Sequence, residues 1–141
     1  MEMLINDSRT IRELQQEFNN TFPFLKLEFF DVPHAEKKAL PKSRMIANDR
    51  KIGAVRKVHR DGKLVVTENE TVSQLENDLW NNYGLSAQVF RKSGNLWIET
   101  SLTDSWTLER QNREGYEMSN GYESPYRKGE DLDPGDRDKW E

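Results

Sequence analysis

Two stretches of this chain carry the same order of apolar and polar positions. Met3–Phe24 (MLINDSRTIRELQQEFNNTFPF) lies over Leu64–Leu85 (LVVTENETVSQLENDLWNNYGL) at an offset of 61 residues, without a gap. Only Thr10/Thr71, Leu14/Leu75 and Asn20/Asn81 are identical, yet the physical roles agree more widely. Leu4-Ile5 and Val65-Val66 are apolar runs of the kind that form strands. Thr10-x-x-Glu13 and Thr71-x-x-Gln74 are capping boxes, in which a hydroxyl and a Glu or Gln side chain satisfy the free amides of a helix start. Ile11, Leu14 and Phe18 lie over Val72, Leu75 and Leu79, spaced to share one helical face. Phe22 lies over Tyr83, and Pro23 and Gly84 both stop helices. A second apolar run follows each copy, Phe24–Phe30 and Leu85–Arg91. Each copy thus reads strand–helix–strand, a βαβ-like repeat. A right-handed crossover would make its two strands parallel if they share a sheet.

The remaining elements are hairpins and one helix. Ile52–His59 and Lys63–Glu68 flank Arg60-Asp61-Gly62, a strong turn signal whose loop length leaves the register open. Ser86–Lys92 and Asn95–Ser101 flank Ser93-Gly94. A two-residue turn there sets Phe90 opposite Trp97 and Val89 opposite Ile98. Alternation then puts Ala87, Val89, Leu96, Ile98 and Thr100 on one face and Gln88, Phe90, Trp97 and Glu99 on the other. A last helix is expected from Ser105 to Arg113, with Asp104 as N-cap and Gly115 as stop. Asp31–Arg50, with Pro33 and Pro41, has weak pattern and reads as a long loop.

These elements give an α+β fold in a single domain, residues 1–116. A mixed sheet of about six strands is expected, in the order strand, helix, strand, strand, strand, helix, strand, strand, helix. Its helices would pack on one face and leave the other partly open. The expected core is Leu4, Ile11, Leu14, Phe18, Leu27, Val65, Val72, Leu75, Leu79, Val89, Ile98 and Leu108.

Composition changes this picture at the C-terminus. The chain has 141 residues, of which 34% are hydrophobic and 33% charged. Residues 117–141 hold eight acidic side chains and hardly any aliphatic ones. Such a segment buries too little apolar area to offset its ordering entropy, so a disordered acidic tail is expected. No apolar run approaches the roughly 20 residues that span a bilayer, so no membrane role is expected. Met1–Asp7 lacks the basic and apolar regions of a secretory signal. The absence of cysteine removes disulfides and thiolate chemistry and suits a cytoplasmic protein.

Charge and aromatic residues supply the candidate sites. Residues 37–63 hold ten basic side chains against two acidic ones. Such a run is either a solvated, lysine-guarded edge or a docking site for phosphates or for an acidic partner. In the nucleic-acid reading the contacts fall to Lys51, Arg56, Lys57, Arg60 and Lys63, held at fixed spacing by the first hairpin. The leading expectation is a non-catalytic module that binds a protein partner. Its surface would be the second hairpin, with Phe90 and Trp97 at the centre and Gln88, Lys92 and Glu99 as a polar rim, the composition of an interaction hot spot. A small enzyme is the third reading. The chain has no phosphate-cradling glycine loop and no nucleophile elbow. His34 and His59 lack carboxylates at helical ligand spacing, so no catalytic residue, metal or cofactor is expected.

Overall fold

Thr10 and Thr71 each close a capping box in the computed structural model, which describes residues 1–120. Thr10 Oγ1 accepts from the Glu13 amide at 3.2 Å, and Glu13 Oε1 accepts from the Thr10 amide at 2.9 Å. Gln74 and Thr71 repeat the exchange at 3.1 and 2.8 Å. The elements in chain order are β1 (Glu2–Ile5), α1 (Ile11–Thr21), β2 (Leu25–Phe30), α2 (Ile52–Val55), β3 (Gly62–Val65), α3 (Val72–Tyr83), β4 (Ser86–Ser93), β5 (Leu96–Glu99) and α4 (Leu108–Ser119).

The protein is α+β, but the expected single mixed sheet is replaced by two antiparallel ones. β1 pairs with β3, while β2, β4 and β5 form a second sheet with β4 in the centre. The strands of each strand–helix–strand unit therefore lie in different sheets, and each strand pairs with its counterpart from the other unit. Ile52–His59 is not a strand. Its first four residues are α2, and the rest is held irregular by the Arg56 side chain, so β3 has no hairpin partner and turns to β1.

Backbone hydrogen bonds show how alike the two halves are. Ile11 N donates to Arg50 O and Ile52 N to Arg9 O; in the second half Val72 N donates to Trp106 O and Leu108 N to Glu70 O. In each half a helix N-cap is thus bridged to the N-cap of a later helix, Thr10 to Lys51 and Thr71 to Thr107. Ile52 and Leu108, the first residues of those later helices, are both fully buried.

One hydrophobic cluster joins both sheets to α1 and α3. Ile11, Leu14, Phe18, Val72, Leu75 and Leu79 enter it from the helices, and Leu25, Leu27, Phe29, Ala87 and Val89 from the larger sheet. Met3, Ile5, Leu64 and Val66 enter from the β1–β3 side. Leu4 and Val65, expected in the core, instead face outward at 47% and 57% exposure. Alternation sends neighbours to opposite faces, and in the runs Met3-Leu4-Ile5 and Leu64-Val65-Val66 every residue is apolar, so the pattern itself does not reveal the inward set. Ile98 is only half-buried.

Two further elements differ from expectation. α4 is capped by Thr107, whose hydroxyl accepts from the Arg110 amide at 3.1 Å, and it runs through Gly115 to Ser119. Gly115 does not stop the helix; a Cβ there would lie 2.8 Å from Phe24 Cβ, so glycine permits close packing. Asp104 is buried and pairs with Lys37 Nζ at 3.1 Å instead of capping. The acidic tail expected from 117 begins inside α4, and the expectation of disorder falls on residues 121–141, outside the described ones. No helix among the described residues is long and apolar enough to cross a membrane.

Candidate docking cleft

A cleft of about 330 Å³ opens where β2 and β4 meet the ends of α2 and α3. Phe30, Val32 and Pro33 form one wall, Val55 and Val58 the other, and Trp80 and Ser86 also line it. Trp80 is 37% exposed and Val58 47%. Trp80 lies one residue past the buried Leu79 on α3, which turns its ring off the core face. Ser86 is buried, and its Oγ has no hydrogen-bond partner among the described residues.

Polar clamps fix both walls. The Arg56 guanidinium is fully buried. It donates to Asp7 Oδ1 through Nε at 2.9 Å and Nη2 at 2.8 Å, to Arg60 O at 2.7 Å, to Tyr83 O at 3.2 Å and to Asp61 Oδ1 at 3.3 Å. These bonds pin residues 56–61 to the end of α3 and to the turn after β1. They also hold the Asp7 carboxyl below its usual range, helped by His59, whose Nδ1 lies 2.8 Å from Asp7 Oδ2. On the opposite wall His34 Nε2 lies 3.1 Å from Asn77 Oδ1, and Asn77 Nδ2 donates to Glu36 at 2.7 Å. Gly84, at φ 66°, lets the chain turn sharply out of α3 beneath Val58; a Cβ there would sit 3.1 Å from Val58 Cβ.

The hairpin face is arranged otherwise than its sequence suggests. The turn is Gly94-Asn95, with Gly94 at φ 66° taking the position that needs a left-handed residue. Phe90 therefore opposes Glu99, and Trp97 opposes Lys92. The partner moves by two residues, which preserves the faces, so Gln88, Phe90, Lys92, Trp97 and Glu99 remain on one side of the sheet. That side is not open. Gln88 is buried and clamps the crossing loop, donating to Lys38 O at 2.7 Å and accepting from the Leu40 amide at 3.1 Å. Phe90 is 3% exposed. Trp97 is half-buried, with Lys26 Nζ 5.2 Å from its ring centroid. Asp31–Arg50 is thus a strap across the sheet, tied at Phe30–Met45 and by Ile46 N to Phe29 O at 2.8 Å.

The basic candidates separate as well. Lys51, Lys57, Arg60 and Lys63 are exposed, and Lys57 reaches the cleft. Arg56 is spent inside the fold and is not available to a phosphate.

Glu76 is the acid–base group that the sequence concealed. It lies on the inner face of α3, and Oε2 accepts from the Val89 amide at 2.9 Å. Burial pushes its carboxyl up to about 8; the Val89 hydrogen bond opposes this, and Asp104 and Glu99 add to it. It does not line the cleft. Of the cleft itself, Trp80 was visible in the sequence only as an apolar residue off the helical stripe. Val32, Pro33 and Val58 gave no signal, because they come together only in space. Among the described residues no three of His, Asp and Glu gather where they could hold a metal ion. Comparison of the chain with protein-family models, with curated proteins and with solved structures yields no match.

Proposed function

We propose that the chain is a non-catalytic interaction module that binds a protein partner through the cleft beside Trp80. The observation that carries this reading is the pair Trp80 and Val58, large apolar side chains left partly exposed at one cleft whose walls are held by side-chain hydrogen bonds. Preformed apolar clefts with few polar groups are where ligands anchor, and a rigid wall reduces the ordering cost of binding. The volume suits one aromatic or branched aliphatic side chain, and the exposed Lys57 favours an acidic residue next to it. Selection of displayed peptides on the wild-type protein tests this. The expected outcome is enrichment of sequences with an apolar anchor beside an acidic residue, with capture lost in Trp80→Ala and in Val58→Glu. A selection that gives no Trp80-dependent binder ends the reading.

Nucleic-acid binding is the second reading, favoured by the exposure of Lys51, Lys57, Arg60 and Lys63 in the segment from 51 to 63. Titration with duplex and single-stranded oligonucleotides separates the two. Each phosphate neutralised on duplex DNA would add about −0.9 to the salt slope, and absence of binding at low salt retires it.

A further inference from the structure

Burial grades the lining of the cleft beside Trp80. Phe30 and Ser86 are buried, whereas Pro33, Val58 and Trp80 are exposed, so the first two form its floor and the others its mouth. Phe30 and Ser86 are register partners across β2 and β4, and residues directly opposite share one face of a sheet. Their neighbours Phe29, Leu85 and Ala87 enter the hydrophobic cluster. Alternation therefore turns Phe30 and Ser86 away from that cluster and toward the cleft. Ser86 Oγ is enclosed there and has no hydrogen-bond partner among the described residues. Buried hydroxyls are nearly always bonded, and an unsatisfied one destabilises the fold that holds it. A serine hydroxyl turns about one bond and can donate or accept, so a polar group entering the cleft can satisfy it.

The charges around the cleft decide what that group can be. Three charged residues line it, Asp31, Arg56 and Lys57. The five N–H groups of the Arg56 guanidinium make five bonds, to Asp7, Asp61, Arg60 O and Tyr83 O, and none is left for a ligand. Asp31 Oδ1 accepts from Arg44 Nε at 2.6 Å, so its charge is already met. The floor thus offers neither a free cation nor a free anion, and an ionised group buried there would lose its hydration without gaining a partner. The polar tip that reaches Ser86 is therefore neutral. At the mouth the balance differs. Lys57 is exposed, and no acidic side chain of the described residues pairs with it.

We infer that the cleft takes a tyrosine side chain of the protein partner, flanked by an acidic residue, with the phenol hydroxyl bonded to Ser86 Oγ. The inference rests on the reading of the cleft as the protein-binding site. A phenol combines what floor, walls and mouth ask for. Its ring meets Phe30, Val55, Val58 and Trp80, and its hydroxyl sits at the far end of that ring, where the floor is. With a pKa near about 10 it enters uncharged at neutral pH. Phenylalanine would fill the same walls and leave Ser86 unpaired. A carboxylate or an ammonium would reach the floor charged, and serine or threonine would leave the walls unfilled. The acidic neighbour stays at the mouth, in water, beside Lys57.

NMR titration of the full chain, read at the Trp80 indole N–H, tests this with two capped tripeptides, glutamate–tyrosine–glutamate and glutamate–phenylalanine–glutamate. On the wild type the tyrosine peptide should bind about three- to tenfold more tightly, the usual yield of one neutral hydrogen bond. In Ser86→Ala the two peptides should bind alike. That variant loses an unpartnered hydroxyl, so its melting temperature should not fall. A lysine–tyrosine–lysine peptide should bind the wild type about threefold or more weakly than its glutamate counterpart at low salt. Equal binding of the tyrosine and phenylalanine peptides, or a tyrosine preference that survives in Ser86→Ala, overturns the inference and leaves the cleft reading standing, since both peptides still shift Trp80. A clear fall in the melting temperature of Ser86→Ala overturns it too, because the hydroxyl would then be bonded within the fold. Equal binding of the lysine peptide overturns the acidic flank. Ser86-dependent binding of free p-cresol with no binding of either glutamate peptide overturns the protein-borne tyrosine in favour of a small phenol. If no probe shifts Trp80, the inference fails, and the selection of displayed peptides decides the cleft reading by itself.

Discussion

The two halves of the chain share a frame and differ at the position where helix meets strand. Gln15 on α1 and Glu76 on α3 stand at the same place, 61 residues apart. Gln15 donates its amide to Leu27 O, whereas Glu76 accepts from the Val89 amide. One residue closes a sheet edge with a neutral group. The other does a similar task with a carboxyl that burial keeps protonated near neutral pH. The staples between halves differ in the same way. Asn112 on α4 holds the Phe24 amide at 2.9 Å by a single bond. Arg56 spans from α2 to Tyr83 O with five bonds, three of them to the carboxylates of Asp7 and Asp61. Apolar spacing and caps set the common frame, and the polar residues set on it differ, Arg56 bracing one wall of the cleft and Glu76 supplying a buried acid.

The largest expected effect comes from breaking the heavier staple. Arg56→Met should destabilise by about 2–4 kcal/mol, toward the lower end for a broken buried ion pair because Asp7 is partly exposed and can rehydrate. Denaturant unfolding measures it. A loss below about 0.5 kcal/mol would return Arg56 to the surface cations and remove the asymmetry between the halves.

Exchanging the two helix–strand contacts comes next. The folded pKa of Glu76, about 8, lies above its ordinary value of 4.5, so the folded state holds the proton more tightly than the unfolded one. Its contribution is complete below pH 4.5, declines as pH rises, and is gone above about 8. Glu76→Gln keeps an acceptor for Val89 and cannot ionise. It should raise stability at pH 7 by up to about 3 kcal/mol and flatten the decline in melting temperature between mildly acidic and mildly alkaline pH. An unchanged pH profile would show that Glu76 titrates as an ordinary carboxyl.

The smallest effect probes what the halves have in common. Thr10→Ala and Thr71→Ala should each cost about 0.5–2 kcal/mol, and by similar amounts, since the two caps share one geometry. A clear inequality would mean that the N-cap bridges to Lys51 and Thr107 carry different loads.

Much of the frame was readable because its signals are local. A capping box, an i, i+3, i+7 stripe and a helix stop each lie within one turn or a few, so α1 and α3 follow from the residues that form them. α4 was misplaced because the cap signals of Asp104 and Thr107 compete, and only packing decides. Asp104 is itself buried and is drawn into a pair with the exposed Lys37 across 67 residues, which leaves Thr107 to cap. Gly115 reads as a stop until Phe24 is brought against it.

The candidate sites show the same division. The sequence placed Gln88, Phe90, Lys92, Trp97 and Glu99 on one face, since strand alternation survives a two-residue shift in pairing. It could not show that the strap from Asp31 to Arg50 covers Gln88 and Phe90, because the ties from Gln88 to Lys38 and Leu40 span about fifty residues. The cleft was less legible still, its walls coming from three separate segments.

What the sequence determined by itself was therefore the α+β class, the two capped helices and most of the core those helices bury. Tertiary structure alone decided which strands pair, which member of each apolar run turns inward, that Arg56 is an internal staple, and that Glu76 keeps its proton. Helix signals act between residues a few positions apart, whereas strand partners, ion pairs and desolvation depend on what distant segments bring to the same place.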